Sequence, residues 1–135
     1  MRHKPRLTLP DAYRMADAAR GAAARKNLEG TIAIVDDGGA LLYLERPDRQ
    51  SPNSVDVATM KARTAAFRER PSADLQERVR KEPGWMMFPN GLPMPGGIPL
   101  MFKGECVGGI GVSGIALDDE PTAQAGADAL GDEIS

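Results

Sequence analysis

Thr31-Ile-Ala-Ile-Val35 and Ala40-Leu-Leu-Tyr-Leu44 are two short apolar runs separated by Asp36-Asp37-Gly38-Gly39. Asp and Gly tolerate positive φ, so the residues between the runs favour a tight turn, and the segment reads as a β-hairpin. On its N-terminal side, Thr8-Leu9-Pro10-Asp11 is a helix-start signal: a Thr cap, a proline in the first turn and an acid three residues after the cap. The helix is expected to run to about Lys26. Ala12, Ala16, Ala19 and Ala23 share one face at helical spacing, with Met15 and Tyr13 beside them. Such an alanine seam lets a helix approach a sheet or a second helix closely.

On the C-terminal side, Ser51-Pro52 opens a second helix, which ends near Arg68. Its expected buried face is Val55, Ala58, Thr59, Ala62 and Ala66, with Asp56, Lys61 and Arg63 pointing elsewhere. Arg70-Pro71-Ser72 breaks the chain, and Ser72 is placed to cap a short helix carrying Leu75 and Val79. Glu82 to Pro99 then holds five prolines and four glycines. Compact domains rarely keep long structureless loops, and those they keep tend to be functional. Ile98–Phe102 and Cys106–Ser113 form a second hairpin about Lys103-Gly104-Glu105; a last helix covers Asp119 to Leu130, after which the tail frays. Two hairpins with helices between them predict an antiparallel sheet with helices packed on it, not a parallel βαβ array. The expected class is α/β of the α+β type, and no linker divides residues 1–135 into two domains.

Composition agrees with one core: 41% hydrophobic and 27% charged in 135 residues, enough chain to hide roughly two-thirds of its unfolded surface. Aromatics are only 4%, so the interior must be built from small aliphatic side chains. A net charge of -2 offers no footprint for a nucleic-acid backbone. The basic residues between Lys61 and Lys81 are interspersed with acids and read as a solvated face. No long apolar run suggests a membrane span, and the basic-then-polar Met1 to Pro10 does not read as a signal peptide, so the cytoplasm is the expected location. One cysteine, Cys106, excludes an internal disulfide.

Gly109-Ile-Gly111-Val-Ser-Gly114 matches the dinucleotide fingerprint G-x-G-x-x-G, but its context fails. Only 21 residues follow, without the second strand and acidic residue the fingerprint requires. Glycines in an inner strand more often let a helix or ligand approach the backbone. Ser113 lacks the glycine two residues on that a nucleophile elbow needs, and the single histidine, His3, lies at the N-terminus. No metal centre is expected: His3 and Cys106 are isolated, and Asp36-Asp37 and Asp118-Asp119 are explained by turns and capping. Two features survive. Gly96-Gly97 within Pro93-Met94-Pro95-Gly96-Gly97-Ile98-Pro99-Leu100 can present backbone N–H groups to an anion, and Lys61 and Thr64, spaced i, i+3, share a helix face beside it.

The same stretches resemble the GlcG/HbpS family. Leu7-Thr8-Leu9 before an alanine-rich helix is similar to the family's opening, as are Ala33-Ile-Val35-Asp36 with Gly38-Gly39 and Leu41-Leu42. Lys61-Ala62-Arg63-Thr64-Ala65, Arg70-Pro71-Ser72, Pro95-Gly96-Gly97-Ile98-Pro99 and Gly108-Gly109-Ile110-Gly111-Val112-Ser113-Gly114 follow in the family's order, over about residues 7–130. The resemblance implies an antiparallel sheet of about five strands flanked by helices, homo-oligomers from dimer to octamer, and haem as the ligand in some members. Related domains are fused to corrinoid adenosyltransferases or sit beside catabolic operons. Some relatives are expected to hold haem iron through a first-helix histidine, which this chain lacks. Met86, Met87, Met94, Met101, Tyr13, Cys106 or Thr64 would have to replace it.

Two functions follow as expectations. One is a binding protein for haem or another flat organic ligand, its oligomer pocket between helix 51–68 and loop 83–99, lined by Arg46, Thr64, Met94, Gly96 and Gly97. The other is a cofactor-independent isomerase, lyase or hydrolase acting on a small polar metabolite. There Lys61 carries charge or a proton, Asp36 or Asp56 is the base, Arg46 clamps a carboxylate and Gly96-Gly97 cradles an oxyanion. A Lys61 acting this way is removable without loss of fold.

Overall fold

Thr8 starts the first helix through a reciprocal cap: its hydroxyl accepts the Asp11 N–H at 3.3 Å, and the Asp11 carboxylate accepts the Thr8 N–H at 2.9 Å. Thr8→Ala should therefore cost about 1 kcal/mol in a denaturant titration, and an unchanged midpoint would show that the cap contributes nothing. In the computed structural model, which describes residues 1–131, helix α1 spans Leu9–Ala24, strands β1 and β2 span Thr31–Asp36 and Leu41–Glu45, and α2 spans Asn53–Arg68. Helix α3 (Ser72–Lys81) leads into a 3-10 turn at Pro83–Met87; β3 (Gly97–Phe102), β4 (Glu105–Ser113), a second 3-10 turn and α4 (Asp119–Asp128) complete the order. The expected fraying tail lies outside the described residues.

The sheet runs β2-β1-β4-β3, every neighbour antiparallel, with both hairpins where the sequence places them. It has four strands among the described residues, not about five. Pro83, Pro89, Pro93 and Pro95 deprive the long connection of ladder donors, so no further strand forms there. Ser72 also departs from expectation: it is the first residue of α3, its hydroxyl makes no cap bond, and Pro71 occupies the cap position.

Strand alternation divides the interior into two layers. Ile32, Ile34, Ile110 and Val112 join Met15 and the α1 alanines in one core, covered by α1 and α4. The alanine seam meets a second helix: a Cβ on Gly126 of α4 would lie 3.1 Å from the Met15 carbonyl oxygen and 3.3 Å from the Ala19 methyl. On the opposite face, α2 lies against β1, β3 and β4, and Val35, Ala62 and Ala66 form a smaller apolar cluster. The glycines that imitate a nucleotide loop explain this packing. A Cβ on Gly109 would come within 2.2 Å of the Ala62 carbonyl oxygen, and one on Gly111 within 2.1 Å of that of Ala58. Strand β4 thus offers α2 bare backbone, and α2 answers with alanines one turn apart.

Candidate functional site

Lys61, Thr64 and Arg68 fall at i, i+3 and i+7 on α2, one polar stripe along a helix otherwise packed by alanine. Lys61 does not point to solvent as its residue type suggested. The residue is 1% exposed. Its Nζ donates to the Val112 carbonyl at 3.1 Å and to Asp119 Oδ2 at 2.9 Å, tying α2 to β4 and to the first turn of α4. Asp119 is buried as well, and its other oxygen accepts the Ile115 N–H at 2.9 Å. The sequence reading assigned Asp119 to capping and missed this pair, because 58 residues separate the partners.

One turn on, the buried Thr64 hydroxyl donates to the Met60 carbonyl at 2.7 Å, with the Asn90 carbonyl at 3.3 Å, and accepts the Leu92 N–H at 2.8 Å. Ser72 acts similarly from α3: its hydroxyl donates to the Met94 carbonyl at 2.6 Å and accepts the Gly97 N–H at 2.8 Å. Gly96 has a φ of +127°, and a Cβ there would lie 2.8 Å from Lys61 Cδ. Lys61, Thr64, Gly96 and Gly97 are therefore brought together, as the sequence led one to expect. Their polar groups are committed elsewhere in the chain, Lys61 to Val112 and Asp119, Thr64 to Met60, Asn90 and Leu92, and the Gly97 N–H to Ser72, and the connection rests directly on α2 where a cleft was expected. The Gly97 N–H in particular faces a hydroxyl of the same chain.

The last member of the stripe is different. The Arg68 side chain is 6% exposed, and its Nη2 lies 2.9 Å from Asp74 Oδ2. That contact is close but not aligned as a hydrogen bond: Oδ2 has no hydrogen-bond partner, and neither does Arg68 Nη1. Above the guanidinium sit Trp85 and Phe88, with ring centroids 5.5 and 5.6 Å from its central carbon and 6.0 Å from each other. Arg78 approaches the Trp85 ring at 4.9 Å. Cation–π contact helps to hold this aromatic pair down, and no residue of Pro83–Met87 is buried. Sequence reading missed Arg68, although extending the Lys61–Thr64 spacing by one turn reaches it.

The remaining candidates stand apart. Asp36 Oδ1 accepts the Gly38 and Ala40 N–H groups, each at 2.9 Å, so it shapes the first hairpin. It pairs with Gly108, four residues along β4 from the Val112 carbonyl that Lys61 holds, a separation of roughly 13 Å along the strand. Asp56 is exposed in the first turn of α2, and Arg46 is exposed just beyond edge strand β2. Among the iron-ligand candidates, Cys106 is buried with its sulfur against the Ala66 and Gly108 carbonyls, and burial pushes its thiol pKa up, away from a thiolate. Met86, Met87, Met94 and Met101 are exposed, as is Tyr13, whose ring meets Tyr43 edge-on. A shallow cavity beside α1 is lined by Arg20, Leu28, Gly30 and Glu45, but there the Arg20 guanidinium is paired with both Glu45 and Asp17. Among the described residues, no helix is long and apolar enough to cross a membrane.

Comparison with known proteins matches residues 7–128 to the family described as Haem degrading protein HbpS-like. Protein GlcG of Escherichia coli strain K12 is 33% identical over 114 residues, covering 84% of this chain and 85% of that protein. The crystal structure of a double mutant of Streptomyces reticuli HbpS superposes with a TM-score of 0.89 at 37% identity, covering 97% of this chain and 91% of that one. A structure described as a PduOC:heme complex superposes with a TM-score of 0.82 at 25% identity, covering 93% and 95% of the two chains.

Proposed function

The chain belongs to the HbpS-like family, and from that membership we propose that it is a small-ligand-binding protein, taking haem or another flat organic molecule on segment 83–94 beside the end of α2. The observation that carries this reading is the contrast along one helix stripe. Lys61 and Thr64 are committed to internal partners, whereas beyond them the chain displays thioethers and aromatics: Met86 is 56%, Met87 84% and Met94 42% exposed, next to Trp85 and Phe88. Flexible thioethers and flat rings suit an apolar planar ligand. In this reading Thr64, Gly96 and Gly97 serve by shaping the connection that presents Met94, and a second copy of the chain supplies the other wall of an open platform.

Haem fits such a platform through its edge groups and a soft donor. Bound haem brings an iron that accepts a thioether and propionates that accept N–H donors. On this chain Met86, Met87 or Met94 would hold the first, and Arg68 and Arg78 would face the second. The iron ligand would here be an exposed thioether, so binding should be weak. Haemin titration followed at the Soret band should give a saturable shift of low affinity, lost when Met86, Met87 and Met94 are all replaced by Leu. The substitution keeps apolar bulk and removes sulfur. An unchanged titration in that variant would remove the thioethers as iron ligands, and no shift in the parent would defeat the haem reading.

A further inference from the structure

Resting on that reading, we propose that Arg68 is a carboxylate anchor and that segment 82–91 is the lid over it: an aromatic carboxylate lifts Trp85 and Phe88 and pairs with Arg68 Nη1. Three observations meet here. Nη1 is a buried cationic donor with no hydrogen-bond partner, on a side chain only 6% exposed. A guanidinium offers a planar fork that suits a carboxylate, and one side of this fork is open. The cover is weakly held. From Glu82 to Gly91 no residue is buried, and its backbone bonds are short-range turns such as Trp85 N–H to Glu82 carbonyl and Phe88 N–H to Trp85 carbonyl. Segments with so few buried contacts occupy the low end of local stability.

Both ends of the lid are fixed. Helix α3 precedes it, and Thr64 grips Asn90 at its far end and Leu92 just after it, so its aromatic part can lift without releasing the Lys61 cluster. Asp74, 2.9 Å from the same guanidinium, sets the charge of the ligand. It balances Arg68, while Arg70, 4.0 Å from the same carboxylate, leaves one positive charge over; that excess suits a singly charged carboxylate, and Asp74 repels a dianion such as phosphate. The rings that now cover Arg68 become the faces on which the ligand's own ring stacks.

Trp85 is the only tryptophan in the chain, so its indole N–H gives one side-chain signal in a proton–nitrogen NMR spectrum. Titration of the full chain with 2-naphthoate should move that signal saturably, while neutral 2-naphthamide and inorganic phosphate should leave it in place. Arg68→Lys keeps the charge without the fork and should weaken naphthoate binding by about tenfold. Arg80→Gln, which removes an exposed arginine of the same helix paired only with Glu77, should preserve the preference for the anion. Equal shifts with naphthoate and naphthamide would overturn the anchor while leaving an apolar platform standing. A phosphate response equal to that of naphthoate would overturn the ligand class. Haemin binding without any naphthoate response would overturn the anchor and lid but not the proposed function, and an unaltered affinity in Arg68→Lys would remove Arg68 from the site.

Discussion

Replacing Lys61 with Met should destabilise the fold by about 3–5 kcal/mol, the cost of leaving one partner of a buried ion pair uncompensated. Lys61 and Asp119 are too deeply enclosed for water to replace the lost contact, with side chains 2% and 9% exposed. Methionine keeps the apolar stem that packs against Gly96, so the loss isolates the charge from the volume. Asp119 would retain the Ile115 N–H but lose its cation. Urea denaturation of the parent, Lys61→Met, and Lys61→Met with Asp119→Asn measures this directly. The double variant should recover much of the loss, since a neutral amide can still accept the Ile115 N–H. A lysine acting only as a proton carrier would leave stability unchanged, and a parental midpoint in the single variant would return Lys61 to that role.

Gly111→Ala should be nearly as damaging, costing about 3 kcal/mol by overpacking. The added methyl carbon would stand 2.1 Å from the Ala58 carbonyl oxygen and 2.7 Å from the Ala62 amide nitrogen. Both obstacles are helix backbone, so no rotamer change relieves them and α2 must move off the sheet. The movement would also pull Lys61 and Thr64 from their partners. Gly84→Ala is the matched control: its added carbon meets nothing within 4 Å, and the Tm should stay near the parental value. If Gly111→Ala melts with Gly84→Ala, the close approach of α2 to β4 is not a constraint on this fold.

Local periodicity made most elements legible. The Thr8–Asp11 cap, the Asp36–Gly39 turn and the β-branched runs each involve residues a few positions apart, where geometry follows from neighbours alone. The residues themselves gave four strands, as the sheet has among the described residues, and only the family resemblance implied a fifth. Ser72 was misplaced because a hydroxyl next to a helix start has two uses, and contact with Met94 and Gly97 selected the second. The candidate site was half legible. Spacing on one helix joined Lys61 to Thr64, and the Gly-rich run marked what would lie beside them. Spacing could not reveal Asp119, or that Arg68 carries an unpaired donor beneath Trp85 and Phe88.

The sequence by itself determined the hairpins, the start of the first helix, the alanine and glycine seams and the family, because each is written in contiguous or periodic residues. Only the tertiary structure decided which polar groups are committed and which are left over. That distinction depends on burial and on partners far apart in the chain. A lysine and an arginine of equal charge on one helix face differ because Asp119 closes hydrogen-bond geometry with the first, while Asp74 approaches the second without doing so.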